Sequence, residues 1–166
     1  MTIVADQINH LRRFSPPVRR LLLFTLFAGL GNAVWNLLFN LYLRQAGFRQ
    51  DFIGDLNFWM AMASALVAPL AGLLSNRLGR RTMLLAGATL HMAGQLVSVW
   101  FVQPAALVVA MAVMGIAFPL WIVSYNPFMA DHSRPDERVP LFSMVNTTWL
   151  GTAMAGSIAG GLLPGL

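Results

Sequence analysis

Three asparagines, Asn32, Asn36 and Asn40, recur every four residues within an uncharged run from Leu21 to Leu43. A spacing of four keeps them along one slowly drifting face of a helix, and Thr25 and Gly29 extend that face toward the N-terminus. At 1.5 Å per residue, Asn40 lies roughly 12 Å along the axis from Asn32. Side-chain amides in hydrocarbon need partners. Two readings of the row stay open: amides lining a water-filled cavity that holds a solute, or amides hydrogen-bonded to neighbouring helices, each gaining about 0.6 kcal/mol. A second patch, Trp121, Ser124 and Tyr125 near Pro119, offers aromatic faces and hydroxyls to a solute. The same residues serve as packing and interface anchors.

Titratable groups are scarce. His91 lies deep in an uncharged run and Asp55 stands at the edge of another. Histidine titrates near neutrality, so His91 is a candidate for proton response; a hydrogen-bonded structural histidine is the other reading. Deep in the apolar runs there is no Asp or Glu, so a proton-coupled mechanism would use Asp55, His91 or a residue outside this chain. The absence of cysteine excludes disulfides and thiolate metal sites. With no Gly-x-Ser-x-Gly, no His-Glu-x-x-His and no paired aspartates in the runs, no enzyme, metal or cofactor is expected.

The elements that carry these residues follow from composition. Hydrophobic residues make up 57% of the 166-residue chain and charged residues 10%, too few charges to cover the surface of a soluble domain. The apolar stretches are long enough to span a bilayer, which takes about 20 helical residues. They lack the alternation of a β-barrel. The uncharged run from Thr82 to Ala130 is too long for one helix, and Gln103-Pro104 divides it. An all-α, polytopic bundle of five spans results, at about 19–43, 55–76, 82–102, 105–129 and 138–164. It follows a leader over residues 1–17. The basic residues before the first run do not mark a signal peptide, because the run is too long for a signal core and no clear small-residue cleavage site follows.

All eleven basic residues are arginine. Arg12, Arg13, Arg19 and Arg20 precede the first span, Arg77, Arg80 and Arg81 follow the second, and Arg134 and Arg138 follow the fourth. Only Arg44 and Arg49 fall in the alternate loops. The bias places the N-terminus in the cytoplasm. It also explains the net charge of +5 by topology, with the lipid bilayer and not nucleic acid as partner. Tyr42, Phe58, Trp59 and Trp100 then fall at the outer interface.

Between the second and third spans stands Gly72-Leu-Leu-Ser-Asn76-Arg77-Leu-Gly79-Arg80-Arg81. Gly72 is suited to close approach by a neighbouring helix. Gly79 is suited to a sharp reversal. The spacing and its place in the topology resemble the signature loop of the major facilitator superfamily, with Asn76 where aspartate is commoner and Thr82 where a third basic residue is common. The resemblance implies a transporter that moves a small-molecule solute across a bacterial-type inner (plasma) membrane by alternating access. It implies that the first and fourth helices line the central cavity, which gives weight to Asn32, Asn36, Asn40, Trp121, Ser124 and Tyr125. It further implies that the loop is a cytoplasmic latch, with Asp131 as an acidic partner for Arg80 or Arg81.

Ser133 and Asp136 have the spacing of an N-terminal cap on the fifth helix. That helix carries Gly151, Ala155 and Ala159 on one face, with Gly156 and Gly160 beside it, as small-residue packing surfaces. The fifth-helix glycine motif of antiporters matches poorly at Gly156, Gly160, Gly161, Pro164 and Gly165, so no antiporter is inferred. Members of the superfamily have twelve helices in two halves of inverted three-helix repeats. Five spans then amount to an N-terminal portion, whose expected partner is the missing C-terminal half. The alternatives are a short protein working as an oligomer or as a non-transporting scaffold and, after these, an intramembrane enzyme.

Overall fold

The computed structural model describes residues 15–161, which form helices and their connections. The helices are α1 (Pro16–Gln45), α2 (Gln50–Leu78), α3 (Arg80–Trp100), α4 (Pro104–Asp131) and α5 (Arg138–Gly161). The first four are long and apolar enough to cross a bilayer. At 24 residues α5 has the length, but Arg138, Asn146, Thr147 and Thr148 make its first half more polar. Most of the leader, residues 1–14, lies outside the described residues, as does 162–166 at the glycine-rich end. Pro16 and Pro17 open α1, where a missing N–H leaves no helical bond unmade.

The connections are short because glycine ends two helices. At the end of α1, Gly47 takes φ 87°. Its N–H bonds the Arg44 carbonyl while that of Phe48 bonds the Leu43 carbonyl, both at 3.0 Å. This paired closure is a Schellman motif, with Leu43 buried beneath it. Gly79 alone joins α2 to α3, at φ 87° and ψ 143°, and its N–H reaches the Ser75 carbonyl. A side chain at that position would be strained, since this backbone region is nearly restricted to glycine.

The chain forms two compact units. One contains α1 as far as Tyr42 together with the chain from Met129, which holds α5; the other runs from Leu43 to Phe128. In the first unit, Val18, Leu22 and Thr25 form the buried stripe of α1, and Leu141, Val145 and Thr152 that of α5. The helices meet closely at two levels. A Cβ on Gly29 would stand 2.5 Å from Thr152 Oγ1, and one on Gly156 2.5 Å from Ala33 Cβ. A Cβ on Gly151 would meet nothing within 4 Å, and Ala155 and Ala159 are exposed. The close-packing face of α5 is therefore that of Thr152 and Gly156, the second of the two adjacent small-residue surfaces, and not that of Gly151, Ala155 and Ala159.

In the second unit α4 is the most enclosed helix. Met83, Gly87, Gly94 and Ser98 form the buried face of α3. Gly87 lies against Trp121 and Ala117, and Gly94 against Met114 and Ala110. On the α2 side, Gly115 closes against the Met60 carbonyl and Ala63. Gly72 does not make the close approach expected of it, as a Cβ there would meet nothing among the described residues.

These contacts distinguish two glycines of similar sequence setting. Gly115→Val should destabilise the protein in detergent by about 1–3 kcal/mol through overpacking. Gly72→Ala should lie within about 0.5 kcal/mol of the parent. Thermal unfolding of the two variants checks this, and equal losses would contradict the packing described.

Candidate functional site

The exposed amides of α1 are braced by their own helix. Asn36 Nδ2 donates to the Asn32 carbonyl at 2.9 Å, and Asn40 Nδ2 donates to the Asn36 carbonyl at 3.0 Å. Each bond uses one of two N–H donors, leaving a second donor and the side-chain oxygen of Asn36 and Asn40 for another partner. Asn32 and Asn36 line a cavity of about 310 Å³ between α1 and α5, completed chiefly by Gly29, Trp149 and Thr152. Every described residue in its wall is uncharged. The Thr152 hydroxyl donates to the Trp149 carbonyl at 2.9 Å, which fixes the polar edge of the α5 wall. Asn40 sits one turn beyond this lining.

Close approach at Gly29 and Gly156 places these groups together. Because α5 packs through Thr152 and Gly156, Trp149 and Ala153 come to the cavity beside the amides. Trp149 and Thr152 did not stand out in sequence. Thr152 and Gly156 share the four-residue spacing of Gly29 and Ala33, and that match is the signal that could have found them.

The aromatic patch of α4 is built differently. The rings of Trp121 and Tyr125 lie 4.7 Å apart, centroid to centroid, tilted by 39°. Tyr125 is buried, and the Ser124 and Ser75 hydroxyls share a buried hydrogen bond of 2.9 Å. Trp121 packs its Cβ on Gly87. The patch thus ties α4 to α2 and α3, and Ser75 is the partner that sequence reading missed. His91 is half-buried on α3. Asp55 is exposed on α2.

In the signature loop, Asn76, Arg77 and Arg81 are exposed, and Arg80 donates to the Pro127 carbonyl at 3.0 Å. A guanidinium at the end of α4 also meets the negative end of that helix's dipole. Asp131 is the exposed last residue of α4. In the next connection Arg138 donates to the Ala130 carbonyl at 3.2 Å. Ser133 donates back to the Met129 carbonyl at 2.7 Å, and α5 begins only at Arg138, so Ser133 is not its cap as expected. Glu137 instead accepts the Arg134 N–H. Among the described residues no group of His, Asp or Glu has the arrangement to hold a metal ion.

A family model described as Major Facilitator Superfamily matches residues 21–165. No curated protein and no solved structure matches the chain. The family match covers nearly all of the described helices, and the chain belongs to the major facilitator superfamily, a family of multi-pass membrane transporters.

The serine pair makes a prediction of its own. Ser124→Ala strands a buried hydroxyl on Ser75 and should cost about 1–3 kcal/mol. Removing both hydroxyls should cost less than the sum of the two single substitutions. Additive losses in thermal unfolding would show that the two hydroxyls do not depend on each other.

Proposed function

We propose that the chain is the N-terminal portion of a secondary transporter, with its N-terminus in the cytoplasm of a bacterial-type inner membrane. It moves a small solute by alternating access, and the cavity between α1 and α5 is part of the solute's path. The supporting observation is the pair Asn32 and Asn36 beside open space within a helix long and apolar enough to cross a bilayer. Amides in such a helix are best accounted for by water or solute when they face a cavity. Asn40 continues the path toward the exterior in this reading. In the other unit Trp121 is the half-buried aromatic of the α4 patch, with Ser124 and Tyr125 buried next to it in the chain.

The loop at Gly79 acts in this reading as the cytoplasmic latch. Arg80 is held on the end of α4, and Arg81 or Arg80 pairs with Asp131 when the latch is closed. No catalytic chemistry is assigned to the chain. Rocking of one half against another requires the second half of a transporter as partner. Coupling to protons through His91 or Asp55 is a subsidiary part of the proposal.

Two measurements test this reading. The chain contains no cysteine, so Asn36→Cys introduces a single thiol. A membrane-impermeant reagent should label it both in right-side-out and in inside-out vesicles, as alternating access demands. Protection from both sides would sink the reading. Asp131→Asn and Arg81→Gln should each slow uptake about 10-fold or more, the equivalent of about 1.4 kcal/mol. The exchanged pair Asp131→Arg with Arg81→Asp should restore part of the rate. If the exchange gives no recovery, Arg81 is not the partner of Asp131.

A further inference from the structure

We propose that Thr152 is a positioning residue for the solute path, and that its hydroxyl, seated on Gly29, sets the spacing of α1 and α5 beside Asn32. The inference rests on the proposed role of the cavity between these helices and assigns the residue that holds its shape. Three observations lead to it.

The first is burial. Thr152 is 4% exposed, yet it lies in the cavity wall together with Gly29, its neighbour on α1. The place where the two helices touch therefore borders the groove. The second is the atom that makes the contact. A Cβ on Gly29 would stand 2.5 Å from the Thr152 oxygen and 3.2 Å from its methyl carbon, so the oxygen is foremost. The third is what turns the oxygen that way. Threonine in a helix divides between two χ1 rotamers, and the bond from Oγ1 to the Trp149 carbonyl at 2.9 Å holds one of them.

The hydroxyl proton is thus donated within α5, and the oxygen faces the hydrogen that Gly29 carries in place of a Cβ. Weak Cα–H···O contacts between helices have this arrangement. A methyl group is bulkier than an oxygen and accepts no hydrogen. In that position it forces the backbones apart, because a packed contact has no slack to absorb it. Asn32 lies within a turn of Gly29, and Trp149 within a turn of Thr152, so a wider contact moves both walls of the groove. One turn farther on the roles reverse, with the methyl of Ala33 on α1 against Gly156 on α5. Shifting α5 outward by a turn would set Thr152 against Ala33, so the strain is not relieved by sliding.

The test places one thiol in the wall. Asn32→Cys keeps the backbone carbonyl that accepts from Asn36. Its labelling by an impermeant maleimide is timed in right-side-out and inside-out vesicles, alone and with Thr152→Ser, Thr152→Val or Gly29→Ala added. Thermal unfolding of each variant is measured alongside. Thr152→Ser keeps the hydroxyl and should label within about twofold of the parent. Thr152→Val keeps the shape without the hydroxyl and should change the rate by about fivefold or more. Gly29→Ala should shift it the same way, and adding Thr152→Gly, which moves the bulk across the contact, should return it most of the way. Should Thr152→Val or Gly29→Ala fail to fold, the other carries the comparison with Thr152→Ser. Equal shifts in Thr152→Ser and Thr152→Val, no shift in Thr152→Val, or labelling that only follows thermal stability would overturn the positioning role. A thiol at position 32 that never labels, while Asn36→Cys does, would overturn it and leave the path standing. Loss of labelling at both positions would sink the two together.

Discussion

Helices surrounded by hydrocarbon gain nothing from hiding apolar side chains from water, because lipid tails are as apolar as leucine. What joins them is short-range packing, and it is strong only where two backbones come close. In this chain those places are few and specific. Gly29 and Gly156 join α1 to α5, Gly87 and Gly94 join α3 to α4, and Gly115 joins α4 to α2. The described ion pair between Arg49 and Asp51 is exposed at the start of α2, where such a pair contributes little. Close packing at small residues therefore determines which helix faces remain open.

The candidate site is a product of that constraint. Fixing α1 on α5 through Gly29 and Thr152 commits Leu22 and Thr25 to the buried side of α1, and leaves Asn32 and Asn36 at an edge beside open space. A buried asparagine row would need partners on α5. An exposed one braces itself on its own helix, as the bonds to the Asn32 and Asn36 carbonyls show. The bracing has a functional consequence too, since an amide held by one N–H presents its oxygen in a defined direction. In the other unit the polar groups of α4 have a different fate. Ser124 is paired and Tyr125 is buried, so they stiffen the helix bundle.

Much of this was legible in the residues themselves. Uncharged runs, the break at Gln103-Pro104 and the single glycine before Arg80 mark five helices, and the structure has those five. The loop from Gly72 to Arg81 pointed to the superfamily that the family match shows. Pairings between distant residues were not legible. Ser75 and Ser124 are 49 positions apart, and nothing local marks one as the other's partner. Which of two α5 faces packs, one residue or about 100° of helix rotation apart, was not legible either. Small residues occupy two adjacent faces there, and only the register of Gly29 and Ala33 on α1 selects between them. Gly72 shows the same limit, because a glycine permits close approach without requiring a neighbour to make it.

The central claim is that one edge of α1 faces water while the rest faces lipid or protein. Spin labels placed singly from Gly29 to Asn40 in reconstituted membranes would test it through collision with oxygen, which concentrates in lipid, and with a water-soluble nickel chelate. The account predicts that nickel accessibility peaks at positions 32, 36 and 40, while oxygen accessibility peaks at the exposed apolar positions 30, 34 and 38. Uniform oxygen accessibility along the whole stretch, with no nickel peak at the asparagines, would mean that this edge faces lipid and that the solute path lies elsewhere.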